Sequence, residues 1–558
     1  MLQELEGCLH HFGRKDTGRA ATVLDKLAAR KFSDAASLIR FHESLLFLRA
    51  FPHSPGVQRK TEKLLDTFSA RVQELRDSGA GMSAFSPLEV SGIAGTEMQD
   101  SLSFDVVRWL IRRMPGRVRI DWDNYDEERA MAARWPRWIP LLEEDGYVEA
   151  NIPWREWLQT AQGNKSNSPA WLISKFEDLP FPDAAKAELY DSLRLPLIWE
   201  LDNLRLSRTR NRLPVRKVFY HTGPLIARSE VSLANELAKH PPALKRLSSA
   251  QGRRVMDTIR EVMLVRYREL YGTTLGDPKS VVCAELERGV TIYMWNLLPD
   301  RRLPLRAYVA GFTLKNGVPI NYVEAIGLCE WIEVGFNTFY TFRGGETAWI
   351  YAQTLRSLCH LTGATCISVY PYQLGHNNDE AIDSGAFWFY RKLGFRPGRR
   401  ELLELTEREE AKIEAKRNYK TPARTLRRLA AGHAFYELPG SEPRAWDSFS
   451  TRNIGIRVNR RMAREFGGRS DLIRQASREQ VARVLDVRTS GWSAQEQSAF
   501  ENFALVLAMV PDLNSWTSAE KQTLMQIVQA KAGADEMKFL HLTQNHGKLR
   551  EALLKLGS

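Results

Sequence analysis

Four successive segments between Gly289 and Phe339 constrain the fold more than any other part of the chain. They read GVTIYMWNL, LRAYVAGFTL, VPINYVEAI and EWIEVGFNTF, and their β-branched and aromatic residues favour strands. The pair Asn316-Gly317 separates the second segment from the third. Both central positions of a type I′ hairpin turn require a positive φ, which Asn and Gly adopt readily. The sequence therefore predicts three or four antiparallel strands here.

The apolar spacing changes after these strands. Apolar residues recur at helical spacing from Thr347 to Gly363, and Gly363 is suited to end that helix in the left-handed conformation. A predicted strand follows at 364–370, then a polar loop, a short aromatic helix and a further strand at 433–439. This order predicts an α/β (α+β) fold in which helices accompany a mixed, mainly antiparallel sheet.

The chain of 558 residues is too long for one hydrophobic core, so several regions are expected. Apolar spacing predicts helices in the first of these, and a stretch rich in Gly, Ser and Pro predicts a linker or long loop after it. The predicted regions are an N-terminal helical region at 1–76, a linker at 77–100, a mainly helical region at 101–204, a mixed domain at 205–440 with its core at 289–397, and a C-terminal helical region at 441–558.

Composition narrows the class of protein. The formal net charge of +12 favours polyanionic partners without naming one. No segment approaches ~18 uninterrupted apolar residues and the N-terminus lacks a signal-peptide pattern, so we expect no membrane span and a cytoplasmic location. The five cysteines never form a C-x-x-C pair, so we expect neither a disulfide framework nor a metal site.

The segment DSGAFWFYRKLGF, from Asp383 to Phe395, contains four consecutive aromatic residues. These would occupy all faces of one helical turn, which predicts an enclosed helix. Asp383 is the predicted N-cap, Gly394 the predicted residue just past the helix, and Phe395 its hydrophobic contact. An enclosed Tyr390 hydroxyl requires a partner. The sequence leaves open whether that partner is a backbone carbonyl or a substrate.

A second segment, TFRGGETAW, lies where the fourth predicted strand meets the following helix. Backbone N–H groups at a helix N-terminus, together with the helix dipole, attract anions. Gly335, in the middle of the preceding strand, weakens that strand and so indicates a bulge or the close approach of another chain or a ligand.

The order of these elements and the sequence Tyr390-Arg391-Lys392-Leu393-Gly394-Phe395 resemble the GNAT superfamily of N-acyltransferases, over about residues 289–397. The resemblance implies an acetyl-CoA or other acyl-CoA co-substrate and the transfer of its acyl group to an amine. It does not identify the acceptor, which could be macromolecular. It also implies that Tyr390 protonates the departing thiolate.

The resemblance further implies a set of cofactor-binding residues. Backbone groups of one strand would pair with the pantetheine arm, the glycine-rich loop would hold the pyrophosphate, and one position carries Asp where the family favours Asn. These residues are Val334, Gly335, Phe336, Arg343, Gly344, Gly345, Glu346, Thr347, Ala348 and Asp383. Glu346 replaces a family Gly. Either Glu346 points away and the loop binds phosphate, or it caps its own helix and the phosphate site is lost.

The general base is not fixed by the resemblance, because family members take it from different places. Glu333 and Glu330 are the candidates, and strand alternation places them on opposite faces, so only one can face a cleft. Two other hypotheses stay open. The protein could be a GNAT-fold scaffold that has lost catalysis, or it could bind nucleic acid through the basic runs at 205–217 and 391–428.

Overall fold

A computed structural model describes residues 1–138, 154–163, 169–202 and 205–558, without the side chain of Glu128. Parts of the predicted helical region 101–204 therefore lie outside the described residues. The described elements up to residue 202 are α1 (Leu2–Cys8), α2 (Arg14–Ala28), α3 (Ala35–Ala50), α4 (Pro55–Asp66), α5 (Phe68–Asp77), β1 (Glu97–Ser101), α6 (Phe104–Arg113), β2 (Val118–Ile120), α7 (Glu128–Arg134), α8 (Trp154–Gln162), α9 (Pro169–Glu177), α10 (Asp183–Asp191) and β3 (Pro196–Glu200).

Strands dominate the next part of the chain. Its elements are α11 (Leu233–Ala238), β4 (Leu244–Arg246), α12 (Ser249–Leu264), α13 (Tyr271–Thr274), β5 (Val282–Glu285), β6 (Val290–Asn296), β7 (Ala307–Lys315), β8 (Val318–Leu328), β9 (Trp331–Thr338), α14 (Thr347–Thr362) and β10 (Cys366–Val369).

Helices dominate the remainder. Its elements are α15 (Pro371–Leu374), α16 (Asp379–Asp383), α17 (Ala386–Arg391), β11 (Arg396–Pro397), α18 (Arg400–Ala415), α19 (Ala423–Leu429), β12 (Ala434–Glu437), α20 (Thr451–Phe466), α21 (Ser470–Leu485), α22 (Ala494–Leu507), α23 (Ser518–Ala532), α24 (Glu536–Gln544) and α25 (Gly547–Gly557). Among the described helices, none combines the length and apolarity needed to cross a membrane.

The chain divides into two compact units. The first consists of Met1–Leu213, Tyr220–Gly223 and Asp257–Thr274, and the second of Pro214–Phe219, Pro224–Met256 and Leu275–Ser558. The predicted regions 1–76, 77–100 and 101–204 thus share one unit. The C-terminal helices belong to the same unit as the large sheet.

The stretch 77–100 is mainly irregular in structure and packs within the first unit. Ile93 and Ala94 are fully buried in the first unit, and the Ser91 hydroxyl donates to the Val265 carbonyl at 2.9 Å. Gly92 has a φ of 84°, and a Cβ there would lie 2.4 Å from the Val265 side chain. Small residues here permit close packing of the backbone, so their abundance does not indicate flexibility.

The core of the first unit includes a small antiparallel sheet with β3 between β1 and β2. Trp199 of β3 is fully buried. Phe104 of α6, Phe176 of α9 and Tyr190 of α10 form an aromatic cluster with ring centroids 5.4–6.2 Å apart. Apolar burial of this kind supplies most of the stabilisation of such a core.

Nine of the described strands form one sheet in the second unit, in the order β11-β12-β10-β9-β8-β7-β6-β5-β4. Every neighbouring pair is antiparallel except β9 and β10, which run parallel. The predicted mixed α/β class with a mainly antiparallel sheet is therefore confirmed. Asn316 and Gly317 connect β7 to β8 with φ values of 50° and 78°, as the hairpin prediction requires.

The C-terminal helices hold one end of this sheet. Gln544 of α24 donates to the carbonyls of Cys329 at 3.0 Å and Thr362 at 2.7 Å. The second of these carbonyls belongs to the last turn of α14, so α24 fastens both the hairpin before β9 and the end of α14. Gly363, predicted to end α14, has a φ of 71°.

Replacing Gly363 by alanine tests this junction. An alanine Cβ would be strained at positive φ and would lie 2.6 Å from the Gln544 side-chain oxygen. We expect Gly363→Ala to lower the free energy of unfolding by about 1–2 kcal/mol, measured by urea denaturation. Gly455→Ala is the control, because Gly455 lies inside α20 with open space around it. There we expect a gain of roughly 0.5–1 kcal/mol, and equal effects of the two changes would contradict the prediction.

Candidate functional site

An opening in the large sheet arises because β9 is longer than its parallel neighbour. The last paired residues are Val334 and Val369, whereas β9 continues to Thr338. On its other edge, this continuation stays paired with β8. After Val334, β10 no longer borders β9. From there on, the edge of β9 that faced β10 has no strand partner among the described residues. An extended polar ligand can pair with a strand edge of this kind.

Side chains of β9 alternate across the opening. Val334 and Phe336 lie on one face, and Glu333 and Gly335 on the other. The Phe336 ring contacts Tyr351 of α14, with centroids 4.7 Å apart, and Tyr351 contacts Tyr390 of α17 at 5.6 Å. Tyr390 is thus one aromatic ring away from β9, on the Phe336 face.

The environment of Tyr390 differs partly from the prediction. Phe387 and Tyr390 are buried, but Trp388 and Phe389 are only half-buried, so α17 is not enclosed on all sides. Burial raises the pKa of Tyr390, which keeps its phenol protonated at neutral pH. Its hydroxyl makes no hydrogen bond to any residue that the structure describes. The backbone-carbonyl alternative is therefore not observed.

A second phenol lies beside it. Tyr351 is fully buried, and its hydroxyl has no hydrogen-bond partner within the described part of the chain. Leaving such a group unpaired costs about 1–3 kcal/mol. Two adjacent phenols therefore have the capacity to donate hydrogen bonds near the opening.

The prediction for the start of the aromatic helix was wrong. Asp383 is the exposed last residue of α16, and Gly385, with a φ of 67°, precedes α17. The polar loop forms a short helix of its own because Asn378 caps it, accepting from the Ala381 N–H at 3.2 Å. Asp383 is the last residue of that helix, so it does not occupy the N-cap position of the next one, where Gly385 lies.

The other end of α17 agrees with the prediction. Gly394 follows the helix with a φ of 102°. Phe395 is buried and donates its N–H to the Tyr390 carbonyl at 3.2 Å. Its ring lies 5.8 Å from that of Tyr390. This closure fixes where α17 ends and helps to hold Tyr390 in place.

Glu346 is turned away from the helix that it precedes. It is fully buried, and its carboxylate accepts from the Arg288 guanidinium, from Lys315 Nζ at 3.2 Å and from the Ile226 N–H at 3.2 Å. Its side chain makes no capping bond to α14. Of the two alternatives left open by the sequence, the structure has the one in which Glu346 points away.

The charges around Glu346 compensate one another. Burial acts to raise its pKa, but the Arg288 hydrogen bond and the Lys315 and Arg288 charges outweigh burial, so the pKa of Glu346 is lowered. Burial lowers the pKa of Lys315 to about 8, which still leaves this amine mostly protonated at neutral pH. Two cations therefore surround one anion. The carboxylate does not present an unscreened negative charge to a ligand at α14.

The glycine-rich loop is only partly arranged for an anion. Thr347 and Ala348 begin α14, and no described side chain caps this helix N-terminus, so its first N–H groups are available to an anion. Gly344 is exposed, while the Gly345 N–H donates to the Phe342 carbonyl at 2.9 Å. The Arg343 side chain forms hydrogen bonds with other groups of the protein.

The Arg343 side chain contacts a carboxylate, a backbone carbonyl and an aromatic ring of the protein. Its guanidinium donates to Glu380 and, at 3.3 Å, to the Thr338 carbonyl, and it lies 3.7 Å from the centre of the Tyr340 ring. The Arg343–Glu380 pair is partly exposed on both sides, so it contributes little to stability.

On the opposite face of the sheet, just before the opening and still paired with Ser368 of β10, Glu333 forms a pair that the sequence did not predict. His433 Nε2 lies 2.7 Å from Glu333 Oε2, and Arg306 Nη1 lies 3.7 Å from Oε1. His433 reaches this place because it directly precedes β12, which pairs with β10. A histidine bonded to a carboxylate can accept and relay protons.

Glu330 does not share this location. It precedes β9 instead of lying in it, and its carboxylate accepts from Arg550 Nη2 at 2.6 Å and Trp446 Nε1 at 2.8 Å. At about 3.3 Å per residue, Glu330 is roughly 20 Å along the strand from Phe336. We therefore assign it a structural role and retain Glu333 as the candidate base.

Gly335 does not mark a bulge. Pairing between β8 and β9 keeps a continuous register through it, and the irregularity in this region lies in the β7–β8 pair, between Thr313 and Leu314. A Cβ at Gly335 would meet only ordinary contacts, the nearest being Gln373 at 3.8 Å. The space beside Gly335 is consistent with the alternative explanation, the approach of a ligand.

Three arginines of the basic run at 205–217 form ion pairs within the first unit. Arg208 is buried and lies 3.6 Å from Glu43, and Arg210 and Arg212 pair with Asp66 and Glu62 at 3.4 Å and 2.7 Å. In the second run, Arg391 and Lys412 pair with glutamates of α18. Other basic residues of both runs, such as Arg216, Lys416 and Arg424, are exposed.

No protein-family model matches the sequence, and no curated protein or solved structure does either. Within the described residues, no group of His, Cys, Asp and Glu side chains is arranged to hold a metal ion. The function of the opening must therefore be inferred from its own residues.

Glu346→Gln tests whether this residue is part of a buried ion cluster. Removing its charge leaves Lys315 and Arg288 without their anion, and we expect the free energy of unfolding to fall by about 3 kcal/mol, measured by urea denaturation. Glu380→Gln is the control, because the Arg343–Glu380 pair is partly exposed. There we expect a loss below ~1 kcal/mol. Equal stability of Glu346→Gln and the unmodified chain would contradict the assignment.

Proposed function

We propose that the second unit is a GNAT-type N-acyltransferase, which transfers an acyl group from acyl-CoA to an amine. The observation that supports this most is the opening between β9 and β10, with Tyr390 on one face and the Glu333–His433 pair on the other. Direct acyl transfer needs an acid for the leaving thiolate and a base for the attacking amine. Placement on opposite faces lets both act on one thioester.

The residues around the opening fit an acyl-CoA. The pantetheine arm would pair with backbone groups of Val334, Gly335 and Phe336, along the edge of β9 where it extends past the end of β10. The first N–H groups of α14, at Thr347 and Ala348, would hold the pyrophosphate. The unpaired Tyr351 hydroxyl and the absence of a side-chain cap on α14, among the described residues, support this fit. Asp383, exposed at the end of α16, has no place in it.

The proposed chemistry is a direct displacement. The amine nitrogen attacks the thioester carbonyl carbon, a C–N bond forms and the C–S bond breaks. The Glu333–His433 pair takes the proton that the amine loses, and Tyr390 gives a proton to the leaving sulfur. Backbone N–H groups of β9 would stabilise the negative charge that develops on the carbonyl oxygen.

We also propose a cytoplasmic location. All five cysteines are free thiols, and four of them are buried, a pattern typical of proteins in a reducing compartment. An acyl-CoA enzyme would find its co-substrate there.

A scaffold without catalysis is the second candidate. The observation that favours it is the engagement of Arg343 with Glu380, since Arg343 is the residue expected to assist pyrophosphate binding. A scaffold would bind neither CoA nor acetyl-CoA at the opening, whereas the enzyme binds both. Nucleic-acid binding would rest on exposed basic residues alone, without an arranged site.

Tyr390→Phe and Glu333→Gln test the assigned acid and base. We expect each change to lower kcat by roughly 100-fold or more, because each removes a proton-transfer group. Affinity for acetyl-CoA should change little. Release of free CoA thiol would be followed with acetyl-CoA and a panel of amines, and the affinity would be measured by calorimetry.

Matched controls separate these roles from general damage. Tyr436→Phe changes a phenol on β12, and Glu330→Gln changes the carboxylate at the far end of β9. We expect both to retain turnover, although Glu330→Gln should lower stability because Arg550 loses one of its two carboxylate partners. Unchanged turnover in a folded Tyr390→Phe protein would reject Tyr390 as the acid.

A further inference from the structure

A cavity of about 340 Å³ lies in the second unit, between the segment before β7 and helices α20 and α22. This volume is at the small end of the range for ligand pockets. The walls are mainly apolar and include Leu303, Pro304, Ile454, Val458, Leu505 and Val506. A small ligand with an apolar body fits such a cavity.

Arg306 joins this cavity to the candidate site, because it lines the cavity and also lies 3.7 Å from Glu333. Its side chain is 23% exposed. A guanidinium carries five N–H donors, yet Arg306 donates no side-chain hydrogen bond to any described residue, and its 3.7 Å contact with Glu333 is too long for one. Because its N–H donors are not used by described residues, this largely buried guanidinium can bind a carboxylate through two parallel hydrogen bonds.

The main chain at Arg306 is held in place by a buried ion pair. Lys531 Nζ donates to the Arg306 carbonyl at 2.7 Å and pairs with Glu536. Both charged side chains are almost fully buried, and Glu536 also accepts from the Tyr308 N–H at 3.4 Å. Helices α23 and α24 therefore fix where β7 begins, and with it the direction from which Arg306 enters the cavity.

We propose that this cavity binds an apolar α-amino acid as the acceptor, which rests on the proposed function. Its carboxylate would bind Arg306, its α-amine would face Glu333, and its side chain would fill the apolar cavity. The adjacent opposite charges of Arg306 and Glu333 complement the adjacent charges of a zwitterion. A polyamine lacks the carboxylate, and an internal residue of a protein lacks both the free α-amine and the free α-carboxylate.

The reaction that follows keeps atoms and charges in balance. The bound α-ammonium loses one proton to the Glu333–His433 pair, and the neutral amine that results forms a C–N bond with the acyl carbon as the C–S bond breaks. Tyr390 gives one proton to the leaving sulfur, and the second proton that the nitrogen loses returns to the Tyr390 phenol through solvent. The products are an N-acyl amino acid, free CoA and one proton, which the Glu333–His433 pair holds and then releases.

Calorimetric titration of the full chain, with no acyl donor present, tests the acceptor. L-leucine should bind saturably. Isopentylamine, which lacks the carboxylate, and isocaproate, which lacks the amine, should each bind at least about 10-fold more weakly, because each leaves a charge unpaired. L-alanine should also bind at least about 10-fold more weakly. No binding of L-leucine, or equal binding of isopentylamine, would overturn the proposal.

Variants locate the binding. Arg306→Met should weaken L-leucine at least about 10-fold and leave isopentylamine unchanged, whereas Arg460→Met, on an exposed arginine of α20 outside the cavity, should change neither. Val458→Trp should fill the cavity and abolish binding, with the exposed Ala463→Trp on the same helix as its control. Wild-type affinity in Arg306→Met would overturn the proposal.

The titration also separates this inference from the proposed function. L-leucine binding without acyl transfer would contradict the N-acyltransferase and retain the amino-acid site. Acetyl-CoA binding without L-leucine binding would contradict the amino-acid site and retain the N-acyltransferase.

Discussion

The candidate site depends on one constraint, the early end of β10. That strand has only four residues and ends at Val369. After Tyr370 the chain reaches Pro371, which begins α15. Proline has no N–H to donate and cannot extend a sheet ladder. The parallel pairing with β9 therefore stops at Val369, and the rest of β9 is left with an open edge. Every role proposed for Tyr390 and Glu333 refers to this edge.

Two buried ion clusters arrange what surrounds the opening. The cluster at Glu346 draws a carboxylate away from the start of α14, and the Lys531–Glu536 pair fixes the main chain at Arg306. Buried pairs of this kind add little net stability, because desolvation offsets their attraction. Losing one partner is costly, however, so they specify position strongly. Here they decide which charges face the opening and which are kept from it.

Local signals in the sequence predicted much of the fold. The strands, the Asn316-Gly317 turn and the Gly363 helix end each depend on a few adjacent residues. The N-cap at Asp383 was wrong because Asn378 caps a helix that the polar loop was not expected to form. The predicted linker or long loop at 77–100 contains small residues that pack closely instead of providing flexibility. Local composition cannot distinguish these cases.

The site itself was less predictable, because it depends on distant residues. His433 pairs with Glu333 across 100 positions of sequence, and nothing near His433 indicates a carboxylate partner. Arg306 directly precedes β7, and no sequence motif surrounds this arginine. Tyr390 was found because it lies in a dense local pattern. Residues brought together only by sheet topology leave no comparable signal in a single sequence.

Calorimetric titration of the full chain with acetyl-CoA, compared with the variant Gly335→Trp, tests the central claim most directly. Gly335 borders the opening, and a Cβ there makes only ordinary contacts, so the indole should block the opening without unfolding the sheet. The account predicts saturable binding at one site in the unmodified chain and none in the variant. No binding to the unmodified chain, or equal binding to both proteins, would contradict it.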